Sequence, residues 1–426
     1  MNLLYELLPF LGAIPVAYLL ANALFSRSYD RHRPRVNVPP SDVTIVIPVH
    51  NASPDVFEAC VSAVATQGSR WWVIGDAADL PYRTITERHG GSFLPLRERV
   101  GKKGALGAGL EKVTTPLVLF VDCDTVLPPG AVTRLASHFS PRVGGVGASL
   151  SVQDTGTVHA RAAEFIERAR EVVLRAMSAR GNVLYLDGAT AMYRTEVIRP
   201  FVRSSEFRDS RLFGRATALG DDWMLTDFLL REGYETVRAY ETRVVTYPQP
   251  TFSGFVRQNV RWSRSNWIRL GSYVRRGAPR GVGRFYMFEV AGTYLLPVVA
   301  WVTLAARLPI LTHSLSEASG SLDSLGLVFL HQFGLTSRES WLEFSRLSLT
   351  VLGAFATGAF TGAVVRDHRG PRLRFLANGT LGAVVLFLTS LYGLLTFWKR
   401  PAWGPTDAPH PADEGTTGAP GSTTSV

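Results

Sequence analysis

Asp122 and Asp124 end the run Val118-Leu-Phe-Val-Asp122-Cys-Asp124-Thr125 one residue apart, and they are the first side chains here whose type and spacing suggest chemistry. In an extended strand end two such acids point the same way, so together they could hold a hard divalent cation and, through it, a diphosphate. Asp also ends strands for turn-forming reasons alone, so neighbouring motifs must decide. Gly101-Lys102-Lys103-Gly104 puts two adjacent ammoniums at a helix start, in a chain with only four lysines. They can meet phosphate oxygens there, or form a solvated basic turn. Gly220-Asp221-Asp222 sets two carboxylates in series at another helix start, and a cap needs only one.

The elements around these residues alternate. The β-branched and aromatic run before Asp122 reads as a buried strand delivering acids to its C-terminal edge, where open α/β sheets bind ligands. Val43-Thr-Ile-Val-Ile-Pro-Val49 reads as a first buried strand, followed by a helix with Ser53 as cap and Pro54 in its first turn. Trp71-Trp-Val-Ile-Gly75 is a second strand, ending at Asp76. Strand, helix, strand with acids at strand ends describes a nucleotide-binding unit, but no Gly-rich loop follows the first strand, which disfavours dinucleotides. Residues 157–180 read as a long amphipathic helix rich in Arg and Glu, Val183-Leu-Tyr-Leu as a strand running into the turn Asp187-Gly188-Ala189, and 222–232 as a helix stopped by Gly233.

Composition bounds the setting. The 426 residues are 46% hydrophobic with a net charge of +10, and arginine concentrates at 27–35, 257–284 and 366–374, each beside a long apolar run. That is the pattern of cytoplasmic flanks of membrane spans rather than of a nucleic-acid-binding face. Residues 3–25 form a first span, read as an anchor with its N-terminus outside because a basic n-region is missing and Glu6 interrupts the run. The segment 251–271 interleaves Phe255, Trp262 and Trp267 with Arg257, Arg261, Arg264 and Arg269, as a helix lying in the bilayer interface would. Apolar runs at 285–311, 344–365 and 375–398 predict three further spans, and the weakly apolar stretch 312–343 leaves a fourth or re-entrant piece open. Cys60 and Cys123 provide neither a disulfide framework nor zinc spacing. The tail after 404 reads as disordered.

Taken in order, Asp76, Gly-Lys102-Lys103-x-Ala, Val-Asp122-Cys-Asp124-Thr, Asp187-Gly188-Ala with Met192-Tyr-Arg194, Gly-Asp221-Asp222 and Gln258-Asn-Val-Arg261-Trp262 resemble the motifs of the membrane-embedded processive glycosyltransferases of family 2. That group contains hyaluronan synthases, nodulation-type chitin synthases and cellulose synthases. The resemblance covers roughly residues 40–270 by motif and the flanking spans by layout. It implies an α/β, GT-A-like domain with a mixed, mostly parallel sheet over 42–250, between a transmembrane helix at 1–27 with its linker 28–41 and, beyond it, an interface helix region at 251–284, transmembrane helices at 285–400 and a tail at 401–426.

The same resemblance implies roles. Asp76 would hold uridine, and Lys102 or Lys103 would meet the nucleotide. Asp122 and Asp124 would position a UDP-sugar through Mg²⁺ or Mn²⁺, and Asp187, Gly188 and Gln258 would line the substrate site. Asp222, beside Asp221, would be the general base of an inverting transfer; Arg261 would assist the diphosphate and Trp262 would stack beneath the acceptor sugar. The expected activity is extension and export of a β-linked polysaccharide, favouring UDP-GlcNAc and with UDP-GlcA as a further donor, by a multi-pass plasma-membrane enzyme with a cytosolic catalytic domain. Its partners would be the donor, the growing chain and membrane lipid, with no nucleic acid and no protein partner implied. A non-processive transferase to a lipid-linked acceptor and a non-catalytic scaffold or export subunit are the alternatives. Two features depart from the family pattern: Gly75-Asp76-Ala77-Ala78 replaces the usual acidic pair and Gly-Ser, and Trp403-Gly-Pro-Thr only partly resembles a gating segment.

Overall fold

A computed structural model describes residues 11–29, 35–208, 211–212, 215–216, 220–317, 341–366, 368 and 370–399. Positions 3–10 of the first apolar run, residues 318–340, and Trp403 with the tail lie outside the described residues.

Strand β1 (Val43–Val49) is buried along its whole length. Its continuous apolar run, without polar alternation, is what a strand covered on both faces requires. Val43, Ile45, Ile47 and Val49 enter one core with Phe57 and Val61 of the helix Pro54–Ala65, while Val46 enters the opposite core with Leu106 and Leu110 of the helix Gly101–Leu110. Each such side chain, fully buried, contributes about 1.5–3 kcal/mol to folding.

Eight strands form the main sheet. In chain order they are β1, β2 (Arg70–Asp76), β3 (Ser92–Leu96), β4 (Leu117–Val121), β5 (Thr125–Val126), β6 (Val143–Val152), β7 (Thr190–Arg194) and, after a small separate hairpin of β8 (Arg211–Leu212) and β9 (Arg215–Ala216), β10 (Glu235–Thr246). Across the sheet the order is β3-β2-β1-β4-β7-β6-β10-β5. β3, β2, β1 and β4 run parallel, so the chain leaves each of them at the same edge. β7 lies antiparallel to both β4 and β6, β10 runs parallel to β6, and β5 closes the far side antiparallel to β10. The mixed α/β sheet expected from the sequence is therefore present.

Two local expectations are corrected. Residues 183–187 form no strand; the sheet strand is β7, which begins at Thr190. The backbone of the earlier stretch is satisfied by side chains instead of a ladder: Val183 N donates to Thr236 Oγ1 at 3.2 Å and Leu186 N to Thr226 Oγ1 at 2.9 Å. Likewise β4 ends at Val121, so Asp122 and Asp124 stand in a turn, closed by Thr125 N donating to the Asp122 carbonyl at 3.0 Å, rather than on an extended strand end.

Long helices pack on one another beside the domain. The helix Val158–Arg180 is capped by Thr157, whose hydroxyl accepts from Ala160 N, and the helix Phe252–Arg276 by Thr251, which accepts from Gly254 N. Against them lie Arg284–Glu317 and Arg372–Leu394, the latter joined to the amphipathic helix by Trp267 Nε1 donating to the Ser390 carbonyl at 3.2 Å. Three stretches, Arg284–Ala305, Leu347–Val365 and Arg372–Leu394, are long and apolar enough to cross a membrane. Their exposed apolar side chains, such as Val302, Phe355 and Leu388, suit a lipid surround. The described part of the first run, Ala13–Phe25, is helical and meets the helix Arg284–Glu317 through Asn22 Nδ2 donating to Glu289 Oε1 at 2.7 Å.

Candidate active site

The parallel strands deliver their ends to one edge, and the helix Gly101–Leu110 begins over it. Asp76, at the last position of β2, is fully buried. Its carboxylate accepts Val100 N at 2.7 Å through Oδ1 and Gly101 N at 3.0 Å through Oδ2. These are two of the amides that a helix start leaves without partners. Asp76 therefore fastens the segment carrying the lysines to the strand edge.

Lys102 is the centre of the arrangement. Its ammonium lies 2.7 Å from Asp122 Oδ1, 3.1 Å from Asp221 Oδ2 and 3.2 Å from the Gly188 carbonyl. An ammonium has three N–H donors, and here three oxygens from three separate motifs meet it. Burial alone would lower its pKa, but Asp122 and Asp221 outweigh that and hold it above the ordinary lysine value. Gly188 is where the approach is tightest: a Cβ there would stand 3.2 Å from Lys102 Nζ and 3.6 Å from Asp222 Cβ. The Asp-Gly turn thus lets the two acid groups close around one cation.

Lys103 is different in kind. Its Nζ lies 3.3 Å from Met224 Sδ and 5.6 Å from the Phe207 ring centroid, and burial pushes its pKa down to about 8. Of the two adjacent lysines, Lys102 bridges Asp122 and Asp221.

The helix Asp221–Arg231 starts after Gly220, whose φ of 90° is open to glycine at little cost. Asp221 faces Lys102, and Asp222 Oδ1 accepts its neighbour's amide, Trp223 N, at 2.8 Å. Burial first, and then the charge of Asp221, raise Asp222 from an ordinary carboxylate value to about 6. Burial also raises Asp122 to about 6 and raises Asp124, against the pull of Lys102. Among the described residues, neither Asp124 nor Asp222 has a basic group within ion-pair distance. The edge carries more negative charge than its cations offset.

Arg261, on the amphipathic helix, feels that surplus. Burial lowers its pKa while Asp221, Asp122, Asp124 and Asp222 all favour its charge. Trp223 Nε1 donates to Ser265 Oγ at 3.2 Å, tying the helix that carries Asp222 to the one that carries Arg261. Gln258 is half-buried one turn earlier. Trp262 is also half-buried, and the Arg170 guanidinium lies 4.5 Å from its ring centroid.

Asp187 joins this edge to a second charged group. Its carboxylate pairs with Arg238 of β10, whose guanidinium also binds Glu171 Oε2 at 3.0 Å. Arg238 and Glu171 were not singled out from the sequence. The signal was present: Arg238 interrupts a fully buried strand segment, and Glu171 repeats on the same stripe of its helix as Ala160 and Leu174.

The residues fit a hard divalent cation by donor chemistry, since Asp122 and Asp124 offer oxygen ligands beside an excess of buried negative charge. No three acids among the described residues gather into a metal cage. Mg²⁺ and similar ions commonly take one or two carboxylates and complete their shell with substrate phosphates and water.

The profile of the family described as "Glycosyltransferase like family 2" matches residues 39–265. An N-acetylglucosaminyltransferase of Rhizobium meliloti (strain 1021) is 28% identical over 296 residues, covering 65% of this chain and 68% of that protein. Another N-acetylglucosaminyltransferase, from Sinorhizobium fredii (strain NBRC 101917 / NGR234), is 26% identical over 400 residues, covering 89% of this chain and 88% of its own. Among solved structures, the mannosyltransferase PcManGT from Pyrobaculum calidifontis, in complex with GDP-Man and Mn²⁺, superposes with a TM-score of 0.54 at 18% identity, over 85% of this chain and 100% of that one. At that identity the likeness is one of fold, and it agrees with the GT-A-like expectation.

Proposed function

The chain belongs to glycosyltransferase-like family 2, and from that premise we propose that it is a processive, inverting enzyme that extends a β-linked, N-acetylglucosamine-containing polysaccharide from a UDP-sugar. The membership sets aside the non-catalytic scaffold. The observation that carries the reading is Lys102 joining Asp122, Gly188 and Asp221, which brings the residues suited to a donor diphosphate against those suited to an acceptor hydroxyl. The N-acetylglucosaminyltransferase relatives support the choice of sugar.

In this reading Asp122 and Asp124 hold the donor's cation, Mg²⁺ or Mn²⁺, which when bound offsets charge on the departing diphosphate. Arg261, from the membrane side, supplies a second positive charge to the same oxygens. Lys102 keeps Asp221, and with it the start of the helix bearing Asp222, against the donor edge. Asp222 accepts the proton of the acceptor hydroxyl as its oxygen bonds to the anomeric carbon and the bond from that carbon to the UDP oxygen breaks. Attack opposite the leaving group inverts the centre and gives a β-linkage. Asp76 contributes by fixing the lysine segment through its two amide contacts, and Asp187 by fixing the Gly188 turn through Arg238. Trp262 provides the ring on which the acceptor sugar stacks.

The apolar helices support a multi-pass membrane protein, with residues 42–250 as a cytosolic domain, 251–284 as interface helix region and 285–400 as the membrane part that would pass the polymer. The test is to incubate membranes with labelled UDP-GlcNAc, UDP-GlcA and UDP-Glc, singly and in pairs, and to size the product. Long chains from UDP-GlcNAc, alone or with UDP-GlcA, are expected. Single additions to lipid would replace polymerisation by the non-processive alternative, and chains from UDP-Glc alone would overturn the sugar assignment.

A further inference from the structure

Trp262 and Arg170 come from different helices, Phe252–Arg276 and Val158–Arg180, and meet as a cation over a ring. The guanidinium carbon stands 4.5 Å from the indole centroid. Arg170 is itself fixed, because its Nη1 donates to Glu167 Oε1 at 2.8 Å, and Glu167 is 5% exposed. A tryptophan on a helix can otherwise turn about two side-chain torsions, so the plane it offers to a ligand is set by what covers it. Here a cation clipped to a buried acid lies over the ring.

We propose that Arg170 is a positioning residue for chain elongation: with Glu167 it fixes the Trp262 ring plane, so that the face opposite Arg170 receives the acceptor's terminal sugar. This rests on the reading of Trp262 as the acceptor platform. It assigns to the helix Val158–Arg180 a part in acceptor specificity that no motif of that helix announces. The acceptor class follows from the chemistry of the ring: a flat aromatic face suits the apolar C–H face of a pyranose.

The test uses the full chain in membranes at matched protein amounts, with Arg170→Gln, Arg170→Lys, Trp262→Ala and the double variant of Arg170→Gln with Trp262→Ala. Product length, KM for an N-acetylglucosamine oligosaccharide primer and KM for UDP-GlcNAc are measured. Arg170→Gln is expected to shorten the product and raise the primer KM about three- to thirtyfold while leaving the UDP-GlcNAc KM unchanged. Arg170→Lys, which keeps a cation over the ring, is expected to recover part of the length. The double variant is expected to make chains no shorter than Trp262→Ala alone, since both changes act on one platform. If Trp262→Ala makes chains of normal length, the acceptor reading itself fails. If Trp262→Ala shortens the product but Arg170→Gln, or Arg170→Met should the glutamine variant fail to accumulate, gives normal chains and a normal primer KM, the assignment of Arg170 is overturned while Trp262 stands.

Discussion

Two groups of buried charges share this domain, and they are completed in different ways. Along the helix Val158–Arg180 and β10, acids find arginines: Arg168 lies 3.1 Å from Glu164, Arg170 2.8 Å from Glu167, and Arg238 reaches both Glu171 and Asp187. At the strand edge, Asp122 and Asp221 share Lys102, while Asp124 and Asp222 have no such partner among the described residues. In the first group each of these acids is paired with an arginine of the protein, although Arg168 and Glu171 Oε1 make no hydrogen bond among the described residues. The second keeps a surplus of negative charge, and burial raises Asp122, Asp124 and Asp222 against the pull of Lys102, as it raises Glu167 in the first group. A closed network rigidifies a fold, whereas an open one stores an electrostatic demand that a ligand can meet. Asp187 and Gly188 stand where the two adjoin, so the closed network holds the turn against which the open one is assembled.

Breaking the open group should cost activity and spare binding. Asp222→Asn is expected to lose transfer by about two to four orders of magnitude, the usual share of a general base, with UDP-GlcNAc affinity retained. Single-turnover transfer and equilibrium donor binding, measured on the same purified sample, check this. Equal loss of donor affinity would make Asp222 a structural cap.

Breaking the closed group should cost stability. Arg238→Met leaves Glu171 and Asp187 without their shared cation, and Arg238 and Glu171 each have side chains only 2% exposed. Removing one partner of such a buried pair costs about 3–5 kcal/mol. Thermal unfolding in detergent should therefore move to markedly lower temperature. An unchanged unfolding temperature would show that the network does not hold the domain together.

A smaller effect sharpens the same comparison through pH. Asp222 rises from 3.8 to about 6 on folding, chiefly by burial. A carboxyl raised in the folded state favours folding when protonated, so its contribution to stability is full below about 4 and is lost as pH rises through about 6. Its use as a base runs the opposite way. Below about 6, kcat/KM should fall about tenfold per pH unit, and the break should vanish in the residual activity of Asp222→Asn. A pH profile unchanged by that substitution would remove the base assignment.

Much of the edge could be read before the fold was seen. Asp122, Asp124, Lys102, Asp221 and Asp222 announce themselves because acids and lysines at strand and helix ends are few and placed beside apolar runs. The three membrane-length helices were equally plain from their apolar runs. What the sequence hid was pairing at a distance. Nothing local distinguishes Lys102, which bridges acids 20 and 119 residues away, from Lys103, which packs against Met224 and Phe207. Nor does the segment at 183–187 reveal that threonines from two other elements will take its amides, so its apolar, β-rich composition reads as a strand. The Arg and Glu residues of the helix Val158–Arg180 look like a solvated face, and it takes the packing of the helices Arg372–Leu394 and Ala13–Phe25 and of β6 and β10 against it to turn them inward.

The most direct test of the open edge is to ask what closes it. The unfolding temperature of the full chain is measured in detergent with UDP, with Mn²⁺, with both and with both plus excess EDTA, for the wild type and for Asp124→Asn. If the surplus carboxylate charge at Asp122 and Asp124 is completed by a cation and a diphosphate together, UDP with Mn²⁺ should raise the wild-type midpoint well beyond the sum of the two separate effects. EDTA or Asp124→Asn should abolish that excess. An equal rise with UDP alone, in EDTA or in Asp124→Asn, would contradict the account.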